Sequence, residues 1–133
     1  MGRVFFDTRK NVHTLTAAYQ VLASDSGKVF MLNGASGFNV TLPTTLEDGL
    51  FYKFISTDTT ADVQILSTTD IMDVVGLDSE TDVGFSGAGT AKGKIIMETA
   101  GHKSQYVNLY CDGTSWYAEG MASVDDGITV AAA

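Results

Sequence analysis

Positive charge is scarce in this chain: 8 Lys+Arg stand against 16 Asp+Glu in 133 residues, a formal charge of −8 with both histidines neutral. Binding nucleic-acid phosphate needs clustered cations, and the sequence offers only Arg3, Arg9 and Lys10 close together. Residues 58–82 hold seven acids (Asp58, Asp62, Asp70, Asp73, Asp78, Glu80, Asp82) and no Lys or Arg, which reads as a solvated acidic face. Cys111 is the single cysteine, so an intrachain disulfide framework and a multi-cysteine metal site are excluded. No apolar run approaches the ~18 residues of a membrane span. The start, residues 1–7, lacks the apolar stretch of a signal peptide, so a soluble chain that is not exported is expected. No partner among membranes or nucleic acids is expected.

A hydrophobic content of 44% is too high for a wholly disordered chain, and 14 Gly with one Pro favour many tight turns. A chain of this size can bury roughly two thirds of the surface its unfolded form exposes, enough for one unstapled core. Short β-branched and aromatic runs recur between Gly, Asn, Asp and Ser clusters at intervals of roughly eight to twelve residues, the pattern of an all-β fold. The expected architecture is an antiparallel β-sandwich or barrel-like domain of short strands with flexible termini. An N-terminal arm (1–12) precedes a single β-rich domain (13–126) and a C-terminal tail (127–133). Helical periodicity is weak everywhere; at most a turn or two is expected, around 15–22 or 68–75. No internal repeat of 20 to 50 residues is evident.

Two hairpins stand out. Asp112-Gly113 separates 105–111 from 114–119, and a two-residue type I′ loop there sets Cys111 opposite Thr114, Leu109 opposite Trp116 and Val107 opposite Ala118 on a core face. The reverse carries Tyr106, Asn108, Tyr110, Ser115, Tyr117 and Glu119, aromatic but polar-tipped, as suits a wet interface. The second pairs 28–32 with 38–42 across Asn33-Gly34-Ala35-Ser36-Gly37, and Pro43 ends its second strand. Further strands are expected at 50–55, 62–66, 83–86 and 93–98. The apolar end, Gly127-Ile128-Thr129-Val130-Ala131, reads as a frayed or edge strand or as an arm that docks on a neighbouring chain.

The chain carries no complete catalytic or metal-binding motif. His13 and His102 are far apart and share no ligand spacing. Asp78-Ser79-Glu80-Thr81-Asp82 starts like a calcium loop, but Val83 stands at its glycine position and Gly89 at its bidentate-Glu position. Cys111 falls on the apolar face of its hairpin and reads as a small buried hydrophobe. Gly84-Phe85-Ser86-Gly87-Ala88-Gly89 departs from a nucleophile elbow and reads as a β-turn loop. Phosphate-cradling glycine motifs are missing, and no cofactor, metal or enzyme activity is expected.

Three segments, 23–33 (Ala-Ser-Asp-Ser-Gly-Lys-Val-Phe-Met-Leu-Asn), 37–43 (Gly-Phe-Asn-Val-Thr-Leu-Pro) and 49–55 (Gly-Leu-Phe-Tyr-Lys-Phe-Ile), together with 107–117, resemble a module of small virion proteins of tailed bacteriophages. They cover 36 of the 133 residues. The resemblance implies a capsid decoration (cement) protein: a β-rich homotrimer outside the shell, made in the host cytoplasm, clamping major capsid proteins and carrying no catalytic residues. Arg3, Phe5, Phe6, Arg9 and Lys10 are the expected shell contacts, since aromatics and Arg supply much of an interface's binding energy; Ile128 and Val130 join them if the tail docks. The alternative is a tail- or fibre-associated or carbohydrate-binding β-module that stacks sugars on Trp116, Tyr117, Tyr110 or Tyr106. The position of Trp116 separates the two: burial removes the best stacking platform.

Overall fold

A computed structural model describes residues 11–58, 60–80, 84–87 and 89–133. Among the described residues, twelve strands form two mixed sheets packed face to face, a β-sandwich of short strands. No α-helix occurs among the described residues; the one helical element is a 3-10 turn at Ala23–Asp25, outside both places where a turn was expected to be strongest. In chain order the strands are β1 (Val12–Leu15), β2 (Tyr19–Gln20), β3 (Val29–Asn33), β4 (Phe38–Thr41), β5 (Asp48–Asp58) and β6 (Val63–Leu66). They continue with β7 (Met72–Asp78), β8 (Gly84–Ser86), β9 (Lys94–Met97), β10 (Tyr106–Asp112), β11 (Trp116–Ala122) and β12 (Ile128–Ala131). The seven-stranded sheet runs β1-β3-β5-β10-β11-β7-β8 and the five-stranded sheet β12-β9-β6-β4-β2.

The first six strands alternate between the sheets and wind as three coils. β1, β3 and β5 lie parallel in one sheet, with Val12 beside Val29 and Val29 beside Lys53. β2, β4 and β6 lie parallel in the other, with Tyr19 beside Val40 and Val40 beside Ile65. The expected hairpin between 28–32 and 38–42 therefore does not form: β3 and β4 belong to different sheets. The segment 33–37 is a corner that carries the chain from one layer to the other, stacked on the corner of the next coil. A Cβ on Gly34 would fall 2.7 Å from the Ala61 carbonyl oxygen, and Gly37, at φ +66°, lies against Asp62 and Ala61. Only a residue without a side chain fits the first position, and the second favours glycine for its left-handed backbone. Leu42 still donates its N–H to Leu66 at 2.8 Å before Pro43 ends the ladder.

The remaining strands close the sandwich. β10 pairs antiparallel with β5 and with β11, and β11 pairs parallel with β7. β9 pairs antiparallel with β6 and with β12. Alternation puts Leu50, Tyr52, Phe54, Val107, Leu109, Trp116 and Ala118 into the space between the sheets, where Val40, Ile65, Ile95 and Ile128 meet them. Phe30 stacks on Phe54 at 5.3 Å between ring centroids, and Tyr52 lies 5.8 Å from Trp116. The Tyr52 hydroxyl donates to the Leu22 carbonyl at 2.8 Å, and burial pushes its pKa up to about 12.

The closing hairpin keeps its predicted faces but not its predicted register. Cys111 stands opposite Trp116 and Leu109 opposite Ala118, so the connection spans four residues rather than two. The Asp112 carboxylate explains the longer loop: it accepts the N–H of Thr114 at 2.9 Å, that of Ser115 at 2.8 Å and the Thr114 hydroxyl at 2.8 Å. These bonds close an Asx turn with Gly113 at φ +90°. The slip is two residues, an even number, which leaves each side chain on its original face.

Candidate functional site

Of the exposed large hydrophobic residues described, all but Leu22 lie on the outer surface of the seven-stranded sheet, which is laid out in three cross-strand rows. One row runs Phe51, Tyr110, Tyr117, Asp73. The next runs Val12, Val29, Lys53, Asn108, Glu119, Val75, and the third Thr14, Met31, Ile55, Tyr106, Met121, Leu77. A polar middle of Lys53, Asn108 and Glu119 thus lies between two apolar or aromatic flanks. Val75 (63%), Leu77 (48%), Tyr117 (47%) and Tyr110 (45%) are among the most exposed large hydrophobic residues described. They lie on one contiguous face, a feature that isolated surface hydrophobes lack and that marks interaction surfaces.

Local interactions hold the side chains in place. The Phe51 and Tyr110 rings meet at 5.1 Å, and the Lys53 ammonium sits 4.7 Å from the centre of the Tyr106 ring. The Tyr110 hydroxyl donates to Glu119 Oε1 at 3.3 Å. Partial desolvation, then the Glu119 charge and this bond, raise the Tyr110 pKa. The Tyr117 pKa is raised chiefly by the Asp112 carboxylate and a hydrogen bond to it. Asp112 itself is held down to about 2, first by the Ser115 and Thr114 backbone N–H groups. Two shallow depressions cross the face, one lined by Asp73, Val75, Tyr110, Tyr117 and Glu119, the other by Val75, Leu77, Tyr106, Glu119 and Met121. The arrangement offers aromatic and aliphatic contact area with charges at fixed positions to set a partner's orientation.

Arg3, Phe5, Phe6, Arg9 and Lys10 lie outside the described residues. Ile128 is buried in the core at 1% exposure and Val130 is half-buried; their strand, β12, pairs with β9 at the edge of the five-stranded sheet. Trp116 is fully buried, so it presents no stacking surface. Tyr110 and Tyr117 are exposed and Tyr106 half-buried on the face expected to be polar-tipped and wet. Cys111 is buried beside Trp116. His13 packs edge-on against Tyr19 at 5.3 Å, far in sequence from the His102 turn, and no three His, Cys, Asp or Glu among the described residues gather as a metal would need. Gly84–Ser86 is strand β8, antiparallel to β7. Sequence reasoning missed Val75, Leu77 and Met121; the signal for the first two is a strand, β7, whose apolar residues occupy both alternating positions, while Met121 lies on β11 beyond the recognised hairpin.

No protein-family model, curated protein or solved structure matches the chain.

Proposed function

We propose that the protein is a noncatalytic structural component of a virion: a capsid decoration protein that binds outside an assembled shell, as a homotrimer, and stabilises contacts between major capsid proteins. The observation that carries this reading is the outer face of Tyr110, Tyr117, Val75, Leu77 and Met121, a contiguous apolar and aromatic surface on a rigid sheet. Such a surface suits a protein partner, and repeated copies on a lattice turn modest individual contacts into avid binding. The segments that resemble phage virion proteins contribute β3, β4, most of β5 and β10 and the start of β11, and all of these but β4 belong to the sheet that carries the face. A net charge of −8 favours the outside of a DNA-filled shell over its interior. Burial of Trp116 weighs against the sugar-stacking alternative.

The test is titration of purified protein onto undecorated capsids. Saturation at a fixed ratio to the shell protein is expected, with Tyr117→Ser combined with Val75→Ser weakening binding at least about tenfold, as loss of one hot-spot anchor does. Absence of saturable, lattice-dependent binding by the wild-type chain rejects the proposal. Light scattering of the free protein and of particles reports the oligomer number.

A further inference from the structure

We infer that, in the free protein, two copies pair face to face through the outer surface of the seven-stranded sheet, about a two-fold axis that runs along β10. The pair belongs to the protein in solution and goes beyond shell binding. On a capsid the shell proteins take the second copy's place, so pairing and shell binding compete for one face.

β10 is flanked by β5 and β11, and these by β3 and β7. A two-fold axis lying on the face along β10 turns each strand onto the one equally far on the other side, so β5 meets β11 of the second copy and β3 meets its β7, row on row. In the middle row Lys53 then meets Glu119 of the second copy, Glu119 meets its Lys53, and Asn108 meets Asn108. Beyond them Val29 meets Val75. In the first row Phe51 meets Tyr117, and in the third Ile55 meets Met121 and Met31 meets Leu77. Within the three rows no acid meets an acid, and apolar groups meet apolar or aromatic ones. Asp112, past Tyr110 on the axis, meets its own counterpart, but it does so at the exposed end of the hairpin, where solvent screens the pair.

Charge selects this axis. An axis along the rows would set Lys53 on Lys53 and Glu119 on Glu119, like on like. Two strand spacings, roughly 10 Å, separate Lys53 from Glu119 within one copy, too far for them to neutralise each other. Each is nonetheless held in place, Lys53 by the Tyr106 ring at 4.7 Å and Glu119 by the Tyr110 hydroxyl at 3.3 Å. Facing sheets pack with their strands roughly 30° apart, which the axis accommodates by tilting about 15° from β10. Five strands by three rows measure about 24 Å by about 20 Å, so the pair covers about 1,000 Å² over both copies. That is the small end of specific interfaces and gives a pair that forms and parts readily. The net charge of −8 on each copy opposes approach, and physiological salt screens it beyond about 8 Å.

Sedimentation velocity of the full-length free protein, at about 0.15 M salt and from about 1 to about 500 μM chain, tests the inference without capsids. Its outcome is thus separable from that of the shell titration. Wild type is expected to form dimers within that range. Lys53→Glu and Glu119→Lys are each expected to raise the dissociation constant at least about tenfold, because one reversal sets like charges together at both meeting points of the pair. An equimolar mixture of the two variants restores opposite charges at both points and should associate as wild type does, which also shows that each variant is folded. Wild type that stays monomeric throughout overturns the inference. So does a single variant that associates as wild type does, or a mixture no stronger than its components. A trimer or larger species in solution overturns it as well, since a two-fold pair closes on itself.

Discussion

Replacing Asp25 by alanine should cost about 3 kcal/mol, a figure that follows from what its carboxylate does between the first two coils. Asp25 is 4% exposed at the end of the 3-10 turn that leads from β2 to β3. Oδ2 accepts the Leu22 N–H at 3.0 Å and the Tyr19 hydroxyl at 3.0 Å, and Oδ1 accepts from the Lys28 ammonium at 2.6 Å. Hydrogen bonds to a charged group contribute about 1.5–3 kcal/mol each. The Lys28 side chain is 24% exposed, so solvent screening reduces its share. Burial pushes the Asp25 pKa up, but the three hydrogen bonds and the Lys28 charge together outweigh it, and the net direction is below the ordinary 3.8. The sign follows: a depressed folded-state pKa gives stability that is present above the unfolded value and is lost as pH falls through the folded one. Urea unfolding followed by circular dichroism at neutral pH should show the Asp25→Ala deficit in full, with Asp25→Asn between it and wild type because the amide keeps an acceptor for Leu22. The wild-type advantage should shrink progressively below about pH 4. A deficit under 1 kcal/mol, or one that stays constant from neutral pH down through acid, refutes the assignment of stability to this charge.

Three further outcomes follow from single positions. A Cβ at Gly76 would lie 2.1 Å from Phe85 Cζ and 2.7 Å from the Gly120 carbonyl oxygen, so Gly76→Ala should destabilise by about 2 kcal/mol in denaturant titration. Adding Phe85→Leu should recover only part of that, since the ring can withdraw and the carbonyl cannot. Asp112 should titrate at about 2 in an NMR pH series, and Asp112→Ala should lower the melting temperature at neutral pH but not at a pH below that midpoint. Trp116, fully buried against Tyr52, should emit in the blue, resist quenching by acrylamide, and show no change when glycans are added; a red-shifted, quenchable emission contradicts its place in the core.

What could be read from the sequence was governed by short-range pattern. β5 declares itself because Leu50, Tyr52 and Phe54 alternate with half-buried Phe51, Lys53 and Ile55. Asp112-Gly113 announces a turn, although the hydrogen bonding capacity of one carboxylate decided its length. Parallel pairing was not legible. Whether 33–37 folds β4 back onto β3 or carries it into the opposite sheet depends on Gly34 and Gly37 meeting Ala61 and Asp62 from the next coil, a long-range event. The coils are of unequal length and share no residue signature, so their winding leaves no repeat. The outer face was half legible: Tyr106, Tyr110 and Tyr117 lie on the reverse of a recognisable hairpin, whereas Val75 and Leu77 join them only because β7 runs parallel to β11.

The same topology determines which surface is free to associate. Among the described residues the edge strands of the two sheets are β1, β8, β12 and β2, of four, three, four and two residues, short templates for pairing with another chain. The outer face draws Phe51 and Lys53 from the coiled half, Tyr110 and Tyr117 from the closing hairpin, and Val75 from β7, so it exists only when all three sections have docked. A chain in which any of these sections has not docked lacks the complete rows of the face. Association through this surface thereby requires the docked domain and uses a face rather than an edge, as the proposed binding to a lattice would call for.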